Sequence, residues 1–247
     1  MVLSVLLCQA QNISEALEQQ RQQEKGQQQA SQNESGNGIV KLPATLTVFE
    51  NGCTIWSFEF EYDAKRRITK VLNSKNEDAC TFTYIGNDKI VKNDGNCTIS
   101  FVKDGNRINI KDVKGNCHGV VADGETITLN SDGYPVKYSK FAFYYTVGGN
   151  LTRISASSEY GPYDLNLKYD DKKSIFTDCE SPKWIFIAFW VNMSEIELFT
   201  HLISNNNLIE LERYIITYEY DIVGYPTKCT WEEGGKIYSI TCKYKYQ

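Results

Sequence analysis

The sequence predicts an all-β protein, a large twisted antiparallel meander of consecutive hairpins with one short helix in the stretch 192–206. Three observations predict it. Aromatic hairpin units recur, as in Tyr62-Asp63-Ala64-Lys65-Arg66-Arg67-Ile68 and Tyr220-Asp221-Ile222-Val223-Gly224-Tyr225-Pro226. Large and charged side chains alternate upstream of them, as in Phe58-Glu59-Phe60-Glu61-Tyr62 and Ile216-Thr217-Tyr218-Glu219-Tyr220, which sets the large ones on one strand face. Tyr (16) and Phe (11) are abundant while Met (2) is rare, a bias toward strands.

Along the chain, Val2 to Leu7 form an apolar run too short to span a bilayer, and Cys8-Gln9-Ala10 supplies a small-x-small cleavage site. Residues 1–10 therefore read as a signal peptide. Two rival readings stand beside it: lipidation at Cys8, although Leu7 is bulky for the residue before a lipobox cysteine, and a structural N-terminal strand. Residues 11–37 are rich in Gln, as in Gln27-Gln28-Gln29, and read as a flexible tether with little to bury. Residues 38–247 form the repeat domain.

Within that domain the repeat is followed by its first residue and an apolar one six positions on. The pairs are Tyr62/Ile68, Tyr84/Ile90, Leu129/Pro135, Tyr145/Leu151, Tyr169/Ile175, Tyr220/Pro226 and Trp231/Ile237, with a looser copy from Phe101 to Ile108. Asp63, Asn130, Asp170 and Asp221 sit where a short polar side chain can bond to a turn backbone. Gly133, Gly149, Gly224 and Gly235 sit where a left-handed residue is wanted, and Asp88 takes that place in the second copy. Arg66 and Lys173 fit the position poorly, so differently shaped turns are expected there. Roughly fourteen to eighteen strands follow, in a sheet long enough to curl on itself. Lys243 and Lys245 are expected to guard a terminal edge strand.

One stretch, 181–212, breaks the pattern as an insert. Trp184 to Val191 is continuously apolar and reads as a strand buried on both faces. Its functional alternative is an exposed patch in which Trp184, Phe186 and Trp190 contact a ligand or partner. Ser194-Glu195-Ile196-Glu197 reads as a capping box, with Ile196, Phe199 and Ile203 at helical spacing.

The Tyr-Asp turns, the Asn-rich loop and the closing Tyr218 to Lys228 motif resemble a family of exported proteins of unknown function from Bacteroides-type bacteria. More distantly the repeat is similar to the YD repeats of Rhs-type toxins and teneurins. The resemblance covers about residues 45 to 247. It implies export, an antiparallel all-β fold and a cell-envelope address (periplasmic, outer-membrane-associated or secreted). It supplies no catalytic residue.

Chemistry is sparse. The net charge of −5, with scattered Lys and Arg, offers no face for nucleic acid. The two histidines, His118 and His201, are isolated, and the eight cysteines contain no C-x-x-C, which argues against a zinc site. Some cysteines are expected to pair and others to be small buried core residues; spacing does not fix the connectivity. Nothing in the sequence calls for a cofactor. Glu59, Glu61, Asp63, Glu219 and Asp221 are the candidate acids for hydrolase chemistry, read first as solvated strand faces and turn caps. Trp56, Trp184, Trp190 and Trp231 are candidate sugar-stacking rings, read first as cross-strand ladders. A lipid-facing barrel fits poorly, because the strands look shorter than the roughly 9 to 11 residues it needs and charge is spread too evenly along them. The resulting expectation is an exported, non-catalytic binding module for a glycan or envelope protein. The alternatives are an extracellular carboxylate-dependent glycan hydrolase and a structural spacer or shell.

Overall fold

The structure is a computed structural model describing residues 40–73, 79–115, 117, 123–158, 161–185, 187, 203–212 and 214–246. The described strands all belong to the compact unit Lys41–Gln247. The first six are β1 (Lys41–Glu50), β2 (Cys53–Tyr62), β3 (Ile68–Asn73), β4 (Ala79–Ile85), β5 (Lys89–Asn93) and β6 (Cys97–Asp104). Next come β7 (Arg107–Gly115), β8 (Thr126–Leu129), β9 (Pro135–Tyr138), β10 (Phe141–Tyr145), β11 (Leu151–Ser158) and β12 (Gly161–Tyr169). Then follow β13 (Leu208–Leu211), β14 (Tyr214–Ile215), β15 (Thr217–Tyr220), β16 (Pro226–Glu233) and β17 (Lys236–Tyr246).

All pairings are antiparallel, and strands pair in chain order. β14 and β15 are two parts of one strand that bends at Ile216, the first pairing with β13 and the second with β16. β17 returns to β1, so the meander is a nearly closed barrel. This corrects the expected terminal edge. β17 has a neighbour on each side, and Lys245 donates to the Phe60 carbonyl (3.1 Å) and covers the Tyr62 ring (4.7 Å).

Alternation decides which face is which. Leu46, Phe58, Phe82, Phe101, Ile127, Ile154 and Ile240 are buried inside. Glu59, Glu61, Lys168, Glu219 and Lys243 are exposed outside. Cross-strand ion pairs such as Lys70–Glu61 (3.0 Å) and Lys168–Glu210 (2.7 Å) lie on that outer face. A lipid-facing wall carries an apolar band outward; this wall has the reverse polarity.

A meander reverses at each turn, so alternate turns share an end. The turns 63–67, 86–88, 105–106, 130–134, 146–150 and 221–225 lie together with the start of β1 and the end of β17. This is the repeat end; the other is the far end. Turns at Asp63, Asn130, Thr146 and Asp221 share one design: the first N–H donates to the fifth carbonyl, and the fourth N–H donates to the first carbonyl. The fourth residue is left-handed in each: Arg66 (φ 61), Gly133 (φ 83), Gly149 (φ 81) and Gly224 (φ 86). The turn at Arg66 is therefore not differently shaped. Asp63 Oδ1 accepts the N–H groups of Lys65 (2.9 Å) and Arg67 (3.0 Å), and Glu180 holds Arg66 through its side chain (2.6 Å) and carbonyl (3.0 Å). In the second copy Gly86 (φ 60), and not Asp88, is the left-handed residue.

The sixth copy also departs from expectation. Asp170 N–H donates to the Asn207 carbonyl (3.0 Å), and Asn207 N–H donates to Asp170 Oδ1 (3.0 Å). Asp63 and Arg67 make the same two bonds. Tyr169 faces Leu208 after a one-residue slip, as Tyr62 faces Ile68. The partner of Tyr169 is thus Leu208 and not Ile175, and residues 171–206 are spliced into the turn. The break runs from Asp170 to Asn207, where the sequence suggested 181–212; Leu208–Leu211 is β13.

Tyrosine hydroxyls tie successive copies together. Tyr84 donates to the Ile68 carbonyl (2.9 Å), Tyr145 to Pro135 (2.9 Å), Tyr218 to Leu208 (2.7 Å) and Tyr244 to Pro226 (2.8 Å). Each acceptor is the residue that closes the preceding repeat turn. Tyr62 extends the series to Pro43 in β1 (2.9 Å). A buried carbonyl at a strand start needs a donor, and the repeat supplies one from its next copy.

The spliced segment packs inside the repeat end. Ile175, Phe176, Trp184, Ile185, Ile187 and Ile203 are buried, with Phe176 edge-on to Phe60 (5.3 Å) and Trp184 against Phe101 (5.5 Å). The described part of the apolar run is not a strand: Ile185 and Ile187 are helical, and Ile185 N–H donates to Pro182 (2.9 Å) and Ile187 N–H to Trp184 (3.1 Å). Residues 192–202 of the expected helix lie outside the described residues.

Candidate functional site

The two ends differ in what their side chains have left to do. At the repeat end the spliced segment fastens to turns around the ring. Ser181 Oγ accepts from Ile68 N–H (2.8 Å), and Asp178 accepts from Lys41 N–H (2.9 Å) and the Tyr225 hydroxyl (2.5 Å). Asn205 donates to the Gly148 carbonyl (2.8 Å), and Asn150 Oδ1 accepts from Asn206 N–H (3.0 Å). Lys41, only 7% exposed, also pairs with Asp221 (2.6 Å). The described part of the segment thus ties together the turns at 63–67, 146–150 and 221–225 and the start of β1.

At the far end the inner wall keeps contact with solvent. Register places Trp231 opposite Tyr238, and Tyr238 opposite Glu50, in one inward-facing row across β16, β17 and β1. Trp231 and Tyr238 stack at 5.5 Å with an interplanar angle of 17°. Glu50 binds Lys236 (2.8 Å) with their side chains 30% and 51% exposed, and it stands opposite Tyr238 in the register. Lys236 and Tyr238 together hold the Glu50 carboxyl below its ordinary range, while desolvation and Glu50 raise Tyr238. One position nearer the rim, Glu233 accepts from the Tyr214 hydroxyl (2.7 Å). Trp56 lies on the next strand, opposite Val48. The Trp231 indole Nε1 has no hydrogen-bond partner, although the residue is only 7% exposed.

The sequence-derived candidates fall elsewhere. Trp184 is 6% exposed and belongs to the core, so its ring presents no face to a ligand in this conformation. Phe186, Trp190, Cys8, His118 and His201 lie outside the described residues. Of the candidate acids, Glu61 and Glu219 pair with Lys70 and Lys228, while Asp63 and Asp221 cap turns. Burial raises Asp63, but bonds from Arg67 and Lys65 outweigh it and leave its carboxyl below the ordinary range. Cys97 and Cys117 form a disulfide. Burial pushes the Cys80, Cys229 and Cys242 thiols up to about 12; Cys229 and Cys242 lie in the core and Cys80 is half-buried. Trp231 was legible as a stacking ring; Lys236 and Tyr238, its neighbours in the same hairpin, were not singled out, and Glu50 was hidden because only barrel closure brings it to them.

No known family matches the chain, and no curated protein matches it. Among solved structures it is similar to a porin-like protein from Bacteroides uniformis, at 12% identity and a TM-score of 0.49, over 83% of this chain and 98% of that one.

Proposed function

We propose that this chain is an exported, non-catalytic binding module of the cell envelope, closed at its repeat end and receiving its partner at the far end. The observation that carries the reading is the asymmetry of the ends. One end is tied together by the segment spliced at Asp170 and Asn207, and the other leaves Tyr238, Glu50 and Lys236 within reach of solvent. Export is supported by the apolar run Val2 to Leu7 with its cleavage site, and by the Cys97–Cys117 disulfide, which suits an oxidising compartment. The resemblance to exported Bacteroides-type proteins points the same way. The charged outer wall favours an aqueous setting.

Glu50, Asp63 and Asp171 have carboxyls held below their ordinary range, the opposite of the raised pKa that a glycosidase's acid needs.

The test is retention of envelope components on the immobilised full chain, comparing a far-end variant (Y238A with E50Q) against a repeat-end variant (Y246A with I222S). Loss of retention in the far-end variant alone is the expected result. Loss in the repeat-end variant alone, or hydrolysis of any retained glycan by the wild type, overturns the reading.

A further inference from the structure

We infer that the far-end row is a saccharide site, in which a neutral pyranose ring lies against Tyr238 and its hydroxyls are met by Glu50 and Lys236. The inference rests on the binding reading above and names its ligand.

A sugar ring has an apolar face of C–H groups and a polar edge of hydroxyls. A matching site offers an aromatic plane, fixed in orientation, with charged donors and acceptors beside it. The row supplies each part. Tyr238 is backed by Trp231 at 5.5 Å and 17°, so one face of its ring is held in place, with Glu50 opposite it in the register. A carboxylate has about four acceptor positions and an ammonium three donors. The Glu50–Lys236 contact at 2.8 Å uses one of each, and both side chains remain partly exposed. Behind the row, the unpartnered Trp231 Nε1 is a buried donor, a group that natural structures seldom leave unpaired.

Charge and shape narrow the ligand. Glu50, Glu233 and Lys236 lie close together with mixed sign, which disfavours both a strong anion and a strong cation. The row lies beside the Gly234–Gly235 turn and spans three strands. A protein partner needs about 800 Å² of contact on each side, whereas one or two sugar rings need only a patch of that width.

The experiment is isothermal titration of the full chain with neutral gluco-, manno- and galacto-oligosaccharides. Binding to at least one series is expected. Y238A and E50Q should each weaken it about tenfold, the loss of one aromatic contact or one charge-assisted bond. Y238F, which keeps the ring and removes its hydroxyl, should fall between wild type and Y238A. Y246A, at the opposite end, should bind as wild type, and circular dichroism should show all variants folded. Absence of binding at millimolar sugar, or equal binding by wild type and Y238A, overturns the saccharide site. If sugars fail while the far-end variant still loses an envelope partner, the binding reading stands and the ligand is wrong. If sugar binding is lost in Y246A but not in Y238A, both are wrong.

Discussion

The repeat end and the far end are built from one sheet and the same aromatic side chains, yet they use them differently. At the repeat end tyrosine hydroxyls tie down backbone carbonyls, Tyr84 on Ile68, Tyr145 on Pro135 and Tyr244 on Pro226, and those of Tyr220 and Tyr225 reach Asp170 and Asp178 at the spliced segment. At the far end the Tyr214 hydroxyl binds the Glu233 carboxylate, and Glu50 pairs with the partly exposed Lys236. A main-chain acceptor is fixed and buried, so the first arrangement holds strands together. A carboxylate has spare capacity and reaches solvent, so the second can take part in recognition. The difference separates scaffold from surface within a single repeat grammar.

The comparison breaks most easily at Trp184. If the spliced segment is core, Trp184→Ala should cost about 3–5 kcal/mol in urea denaturation, whereas Tyr246→Ala, at a residue 61% exposed, should leave the midpoint near that of wild type. Equal, small effects would mean that the segment merely rests on the barrel.

Glycine substitution sharpens the same point. Gly149 and Gly224 occupy one position in identical turns, with φ of 81° and 86°. A methyl group at Gly149 would meet the Tyr134 hydroxyl at 2.3 Å and Asn205 Nδ2 at 2.7 Å, while one at Gly224 meets nothing within 4 Å. Gly224→Ala should cost about 1 kcal/mol for the backbone strain alone, and Gly149→Ala clearly more, because Asn205 must also let go. Thermal melts of the two variants, compared side by side, decide it.

The tyrosine ties come next. Tyr84→Phe and Tyr244→Phe should each lose about 1–3 kcal/mol by leaving a carbonyl unpaired, measured by the same denaturation. Smaller still is the acid response of Asp63. Its folded pKa lies below the unfolded value, so its contribution is present above about pH 4 and is lost as pH falls through the folded pKa. Asp63→Asn should remove that part of the acid slope; an unchanged slope would show that the Arg67 contact contributes nothing.

The sequence made the strands legible because alternation is local: Phe58, Phe60 and Tyr62 declare a face without reference to the rest of the chain. It hid what depends on distant partners. Arg66 takes a left-handed conformation in part because Glu180 holds it, and Glu180 lies in the spliced segment. Tyr169 looked paired with Ile175 by spacing; the bonds between Asp170 and Asn207 that reassign it to Leu208 join residues far apart in sequence. Lys243 and Lys245 looked like edge guards because ring closure leaves no local trace. The Trp231, Tyr238 and Glu50 row was half visible, since two members lie in a hairpin and the third comes from the first strand.

Closure between β1 and β17 also has a kinetic price. Lys41 faces Tyr246, so the longest-range contact in the wall is the one that completes it. Until the last strand arrives, the nascent sheet is a strip with two raw margins, each able to recruit a foreign strand. Assembly dominated by so distant a contact is slow, and the chain is most vulnerable to aggregation in the interval before its two margins find each other.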